Sequence, residues 1–468
     1  MTALWIAFVS LYFLAGTAML VQGGMQLALL RALRNAPPPL VDAPDPEGSL
    51  LVQLPVYNES AVAQRLLNAI ARLRWSGGDL HIQILDDSTD ATPELVAAWL
   101  DVHAATHPAR WSHLRRTNRS GFKAGALDAG LRAAPEADFV AIFDADFVPE
   151  PDFLERATAA LIGQPQTAAV QARWAHLNRS ENALTSVQAL NLDAHFTVEQ
   201  GGRSALGGWA AFNGTAGVWR RSAIHEAGGW MGDTLAEDFD LSIRVQLAGW
   251  RVAYLDDLEA PAELPARFGA YASQQHRWTA GGAGCARKHV RAIWRSYRGV
   301  RRRHALGQLF ASSIHVPVWL MTTASVPLVA IEAWSGAFGW VLPTGAVFAA
   351  ALLVLIALYA EAHKRRGSAS WFPRQMLGML LLGTGMTWRN VRSVRQGWRG
   401  KAGGFVRTPK GGMASAMVSR SVTAEWFWSL YFAAGIALGA WVGEWGLLPF
   451  HALLAAGYAW VGHMSRTP

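Results

Sequence analysis

"VAIFDADFVPE", residues 140–150, runs an apolar stretch into two aspartates one residue apart. In a strand the side chains alternate, so Asp144 and Asp146 would share a face and repel each other. Either a positive group sits between them or the pair is solvated in a loop. The same plan appears twice upstream. "SLLVQLP" reads as a buried strand finishing in Pro55-Val56-Tyr57-Asn58-Glu59, with a helix over residues 60–73 after it. "LHIQILDD" reads as a second, finishing in Asp86-Asp87-Ser88-Thr89-Asp90, with a helix near residues 92–102. "GFKAGALDAGLRA" reads as a helix opened by Gly121. Strands alternating with helices predict a parallel, doubly wound α/β sheet, and such sheets bind ligands beyond the carboxyl ends of their strands.

Three acidic or polar clusters on one sheet edge repel unless they meet cations or donors. No Gly-x-Gly-x-x-Gly follows the first strand, and no Gly-Lys-Ser/Thr loop is present, which argues against a dinucleotide fold and an ATPase. Asp144 and Asp146 make a hard-oxygen pair suited to Mg²⁺ or Mn²⁺, with water and a diphosphate completing the shell.

The remainder of the chain is unusually apolar. Of 468 residues, 51% are hydrophobic and only 16% charged, with 22 Trp and a formal net charge of +8. Soluble domains carry about 25% charged residues, so a membrane protein with cationic cytoplasmic loops is expected. The one cysteine, Cys285, excludes an internal disulfide and a cysteine-rich metal site. Residues 3–30 carry no charge and exceed the ~20 residues a bilayer crossing needs. Further spans are expected at residues 306–331, 338–359, 426–442 and 447–461. Basic clusters at Arg31/Arg34, Arg301–Arg303, Lys364–Arg366, Arg420 and Arg466 then all fall on one side, the cytoplasmic one. Residues 371–388 are apolar but basic at both flanks, which predicts an interfacial or re-entrant segment. The basic stretch "RKHVRAIWRSYRGVRRRH", residues 287–304, stands just before a span, so it reads as a lipid-facing helix and not as a nucleic-acid patch.

Downstream, "LAEDFDLSIRVQLAGW" sets Glu237 beside Asp238 where a helix is about to start. The pair reads as a helix cap or as a general base facing an acceptor hydroxyl. "QQHRWTAGG" offers Gln274, Arg277 and Trp278 as a polar and aromatic platform, or as part of an amphipathic interface helix.

The ordered set PVYNE, LDDSTD, FDADF, AEDFDL and QQHRW resembles the processive family 2 glycosyltransferases. "VQARWAHLN", "FNGTAGVWR" and "GGW" are similar to the A-type cellulose-synthase-like proteins, the glucomannan and mannan synthases. "GGFVRTPKGG", residues 403–412, partly resembles the gating loop of cellulose synthases through Phe405, Thr408 and Lys410, with Arg407 departing from the pattern. The resemblance implies a GT-A-type, Rossmann-like cytoplasmic domain inserted between transmembrane helices. Tyr57, Glu59 and Asp87 would hold the base and ribose of a nucleotide sugar. Asp144 and Asp146 would bind the metal and diphosphate, with Lys123 as a phosphate partner. Asp238 would be the base, and Ala236 departs mildly from the residue usual before that acidic pair. Gln274, Arg277 and Trp278 would bind the acceptor end and diphosphate, and Phe212, Asn213 and Gly214 would line the acceptor entrance.

The expected organisation is a first span in residues 1–34, the transferase domain in 45–264 and interface helices in 265–304. Two spans follow in 305–362, an interfacial segment with the gating-type loop in 363–421, and two more spans in 422–468. The implied activity is inverting transfer of a hexose, from GDP-mannose or UDP-glucose, to a growing β-linked mannan, glucomannan or glucan. The compact chain favours a bacterial inner membrane, with export subunits as possible partners. Two rivals share some of these features: a transferase that adds one sugar to a lipid of the ceramide or polyprenyl-phosphate kind, and a non-catalytic transporter or scaffold.

Overall fold

The computed structural model describes residues 2–36, 44–335, 345–367, 371–400 and 423–466. Its centre is a seven-stranded sheet: β1 (Leu50–Val56), β2 (Leu80–Asp86), β3 (Arg110–Arg115), β4 (Phe139–Ile142), β5 (Thr167–His176), β6 (Gly217–Arg220) and β7 (Arg251–Ala262). The order across the sheet is β3-β2-β1-β4-β6-β5-β7. The expected all-parallel sheet is corrected here, because β6 runs antiparallel to both β4 and β5. That reversal has a use. It sets Gly217 opposite Ile142, so the loop leading into β6 meets the end of β4 directly. The Ala216 N–H donates to the Ile142 carbonyl at 2.8 Å.

Apolar side chains leave both faces of the sheet. On one face Leu66, Val96 and Phe153 come from the helices Ala63–Ile70, Thr92–His103 and Phe153–Ile162. On the other, Leu127, Ala189 and Leu241 come from Phe122–Ala133, Ala183–Asp193 and Glu237–Leu247. The sheet is therefore a three-layer sandwich whose only open edges for ligands are strand ends. Asp144 and Asp146 lie beyond the last strand residue, Ile142, on a turn closed by Phe147 N–H to Asp144 carbonyl at 3.1 Å. They are loop residues and not alternating strand positions.

Helix Phe268–Ser296 leaves the domain and packs on Phe372–Trp398, which also meets His315–Ser335 and Leu448–Met464. Phe372–Trp398 is one unbroken helix, so it does not double back within its length as a re-entrant segment would. The first helix, Thr2–Arg34, packs on His315–Ser335 and Gly345–Arg366. Among the described residues, Ile6–Arg34 and Ala311–Ile331 are long and apolar enough to cross a membrane. The expected span at 338–359 begins outside the described residues.

Domain and helices are tied by polar contacts. Arg366 reaches Thr197 at 2.7 Å and the Tyr359 hydroxyl donates to Asn191 at 2.6 Å, while Arg34 on the first helix reaches Glu361 on Gly345–Arg366 at 2.6 Å. The strongest tie is Asp240, fully buried, with Arg244 and Lys288 each at 2.8 Å and His289 at 2.7 Å. Burial opposes its ionisation, but the hydrogen bonds from His289 and Lys288 and the charge of Arg244 prevail and hold its carboxyl well below the ordinary range. Its stabilisation is therefore complete above the unfolded pKa of about 4 and is lost only as pH falls through the lower folded value. We expect Asp240→Ala to cost about 3–5 kcal/mol at neutral pH, because it leaves Arg244, Lys288 and His289 without their shared acceptor. Chemical unfolding followed by Trp fluorescence measures this, and an unchanged midpoint would remove the network from that role.

Candidate active site

The carboxyl ends of the strands open into one cleft of about 670 Å³. Tyr57 and Glu59 enter it from the end of β1, Asp87 from β2, and Asp144 and Asp146 from the turn after β4. Asn213 and Gly214 come from the loop before β6, Lys123 and Asp238 from the first turns of two helices. Gln274, Arg277 and Trp278 come from Phe268–Ser296, where their spacing puts them on one helix face. The sheet's topology thus collects residues spread over more than two hundred positions. Phe212 is the exception and is corrected: its ring is buried beneath the sheet and meets Trp219 edge-on, with centroids 5.2 Å apart. Phe405, Thr408 and Lys410 lie outside the described residues.

The positive group required by the paired aspartates is Lys123. Its Nζ lies 2.6 Å from Asp144 Oδ1, 2.9 Å from the Gly214 carbonyl and 4.0 Å from Glu237. Burial would pull its pKa down, but the charges of Asp144 and Glu237 outweigh this and raise it. Arg277 adds a second cation near Asp144 and Glu237, although burial lowers its own pKa. Asp238 behaves differently. Burial first, then the charge of Glu237, pushes its carboxyl up to about 7. Burial raises Glu237 as well, against the pull of Lys123. A carboxyl poised near neutrality beside a cationic, phosphate-sized space is suited to accept a proton there.

The backbone is strained where it delivers these groups. Asn58, Phe122 and Ala216 have φ of 56°, 48° and 56°, and they adjoin Tyr57 and Glu59, Lys123, and the loop before β6. Each costs about 1–3 kcal/mol and persists only where the surroundings hold it. Asn58 is held by its N–H on Ser88 Oγ and by Thr89 N–H on its own Oδ1, both at 2.8 Å. Thr215 Oγ accepts from the Asp144 N–H at 2.8 Å, which locks the loop to the turn.

Several cleft residues escaped the sequence reading. Arg116 grips Asp87 with both ends of its guanidinium, one bond at 2.8 Å, and Arg119 lies 3.3 Å above the Tyr57 ring. Two of the residues expected to hold base and ribose are thus themselves held by arginines. The signal was "RRTNRSGFK", a basic run directly after a strand. Trp174 stands 6.3 Å from Trp278 and extends the aromatic platform. Trp174 Nε1 is buried without a hydrogen-bond partner among the described residues, and His176 Nε2 faces Asp193 Oδ1 at 3.8 Å. His176 is lowered by burial to about 4 and is neutral.

Residues 46–281, half of the chain, match the family model described as "Glycosyltransferase like family 2". The chain belongs to the family 2 glycosyltransferases. It is 46% identical over 257 residues to glucomannan 4-beta-mannosyltransferase 7 of Arabidopsis thaliana, covering 53% of this chain and 45% of that protein. It is 44% identical over 257 residues to glucomannan 4-beta-mannosyltransferase 1 of Oryza sativa subsp. japonica, with 53% and 48% covered. The transferase therefore spans about half the length of the curated relatives it matches. Its fold is similar to that of the mannosyltransferase PcManGT from Pyrobaculum calidifontis, solved in complex with GDP-Man and Mn2+. There the TM-score is 0.54 at 22% identity, over 77% of this chain and 98% of that one.

Gly214 gives the sharpest local test. Its φ is +86°, and a Cβ there would stand 2.9 Å from Asp238 Oδ2. We expect Gly214→Ala to cut transfer about 100-fold by displacing the carboxylate, with a stability loss of about 1–2 kcal/mol. Steady-state rates beside thermal unfolding measure this, and a wild-type rate would show that the loop does not set Asp238.

Proposed function

We propose that this family 2 glycosyltransferase is a membrane-embedded, inverting hexosyltransferase that extends a β-linked mannan or glucomannan from a nucleotide sugar, GDP-mannose first among the donors. The observation that carries the reading is the single cleft holding Asp238, the Asp144/Asp146 turn, Lys123 and the Gln274–Arg277–Trp278 face. The printed names of the plant relatives and of the archaeal structure support the choice of mannose. Membrane embedding is supported by the two long apolar helices and by large apolar side chains standing outward on the terminal helices, among them Leu14, Leu353 and Leu430. Trp334, Trp441 and Trp445, all strongly exposed near helix ends, fit an interfacial belt.

Asp238 takes the proton from the incoming hydroxyl as that oxygen attacks the anomeric carbon, a role worth about 10²- to 10⁴-fold in rate. One base without a second nucleophilic carboxylate gives a single displacement, so an α-linked donor yields a β-linked product. Lys123 and Arg277 place positive charge beside the diphosphate. Trp174 and Trp278 give a sugar ring an apolar face. Among the described residues no three His, Cys, Asp or Glu side chains form a metal cage. Asp144 and Asp146 nevertheless fit Mg²⁺ or Mn²⁺, since such ions bind through one or two carboxylates plus substrate phosphates. When bound, the ion neutralises charge on the departing diphosphate.

Five outcomes are expected. The deciding experiment supplies labelled GDP-mannose to the purified protein in lipid nanodiscs. It should give a polymer that a β-mannanase digests; a product one sugar long on lipid would favour the lipid-acceptor rival instead. Excess EDTA should stop the reaction and added Mn²⁺ restore it, and full activity in EDTA would remove the metal. Asp238 is protonated below about 7, so kcat/KM for the acceptor should climb with pH to a plateau above that value. Glu237→Gln, by deleting the charge that raises Asp238, should move this limb to lower pH, whereas an unmoved limb would assign it to another group. Asp238→Asn should nearly abolish transfer with GDP affinity retained.

A further inference from the structure

The segment Ala194–Gln200 is a π-helix, a wide turn that is rare and often marks a functional site. It lies behind the loop before β6, and two of its side chains fix one amide. The Asn213 carbonyl oxygen accepts from Gln200 Nε2, and Asn213 Nδ2 donates to His195 Nε2 at 3.1 Å. Its backbone N–H donates to Gln171 Oε1 at 2.8 Å. Accepting at Nε2 requires the imidazole proton on Nδ1, which faces Glu199 Oε2 at 3.0 Å. The other Glu199 oxygen accepts from Gln26 Nε2 at 2.6 Å, and Gln26 belongs to the apolar helix Thr2–Arg34. Burial would raise Glu199, yet Arg203 and His195 prevail and hold it at about 2, so the acceptor of the imidazole proton is a carboxylate at neutral pH.

We infer that His195 is a positioning residue: it turns the Asn213 amide toward the acceptor and ties that orientation to the first helix through Glu199 and Gln26. The inference rests on the transferase reading of the cleft. Asn213 lines the cleft beside Gly214, whose missing side chain leaves room for Asp238. A primary amide has two N–H groups and two lone pairs, so Asn213 retains one of each for a sugar hydroxyl while both orienting bonds hold. Gln26 of the long, mostly apolar first helix is thereby joined to the acceptor side of the cleft through a chain of three hydrogen bonds.

The test uses the full chain in nanodiscs. Glu199→Gln and His195→Ala should each raise the acceptor KM or lower kcat about tenfold, with GDP affinity and unfolding temperature unchanged. His195→Gln, which keeps an acceptor for Asn213, should recover part of that loss, and Gln26→Leu should act in the same direction with smaller size. Selective ¹⁵N-histidine labelling, assigned through His195→Ala, should show the Nδ1–H tautomer in the wild type and its loss in Glu199→Gln. Unchanged acceptor kinetics in His195→Ala, an equal loss of GDP binding, or the opposite tautomer overturns the inference. A wild type that transfers no sugar but shows the Nδ1–H signal would refute the activity and leave the relay standing.

Discussion

Crowded carboxylates around one buried ammonium set the terms for the rest of this molecule. Asp144, Asp146, Glu237 and Asp238 all reach the cleft, and Lys123 touches Asp144 while standing 4.0 Å from Glu237. In a partly desolvated site such charges act strongly on one another. Burial and the charge of Glu237 push Asp238 up to about 7, and burial raises Glu237 as well against the pull of Lys123. One arrangement therefore sets Asp144 against a cation and Asp238 beside another carboxyl.

The sheet exists in the form that this crowding requires. Parallel strands β1, β2 and β4 bring acids to a common edge, but they alone would leave Lys123 without the Gly214 carbonyl. The reversed β6 supplies it, because its antiparallel register starts the strand where β4 ends. Strand β7 then runs out of the same edge and leads into Phe268–Ser296, whose Gln274, Arg277 and Trp278 line the cleft. The left-handed conformations at Asn58, Phe122 and Ala216 show that the strain is gathered at this edge and nowhere else among the described non-glycine residues.

Much of this was legible in the sequence because it depends on local order. β1, β2 and β4 are apolar runs ending in acids, and Gly121 does open a helix, with φ of 70°. The near-complete convergence of the motif residues follows from strand ends lying side by side. What escaped depends on long-range pairing. β3, "RWSHLR", is an edge strand with a mixed pattern that no alternation betrays. The direction of β6 is invisible in four residues, Gly217–Arg220. Phe212 looked like a rim residue because its neighbours are, yet its ring points into the core against Trp219. Arg116, Arg119, Trp174 and His176 are ordinary residue types, and only the folded sheet brings the last three to the cleft and Arg116 onto Asp87 behind it.

The account turns on a single displacement driven by Asp238, and the anomeric configuration of the product reports on it most directly. The protein would be supplied with α-linked GDP-mannose, and the new linkage read from its one-bond ¹H–¹³C coupling. A β-linkage is the predicted result. An α-linkage would contradict the account, because a single displacement inverts the anomeric carbon.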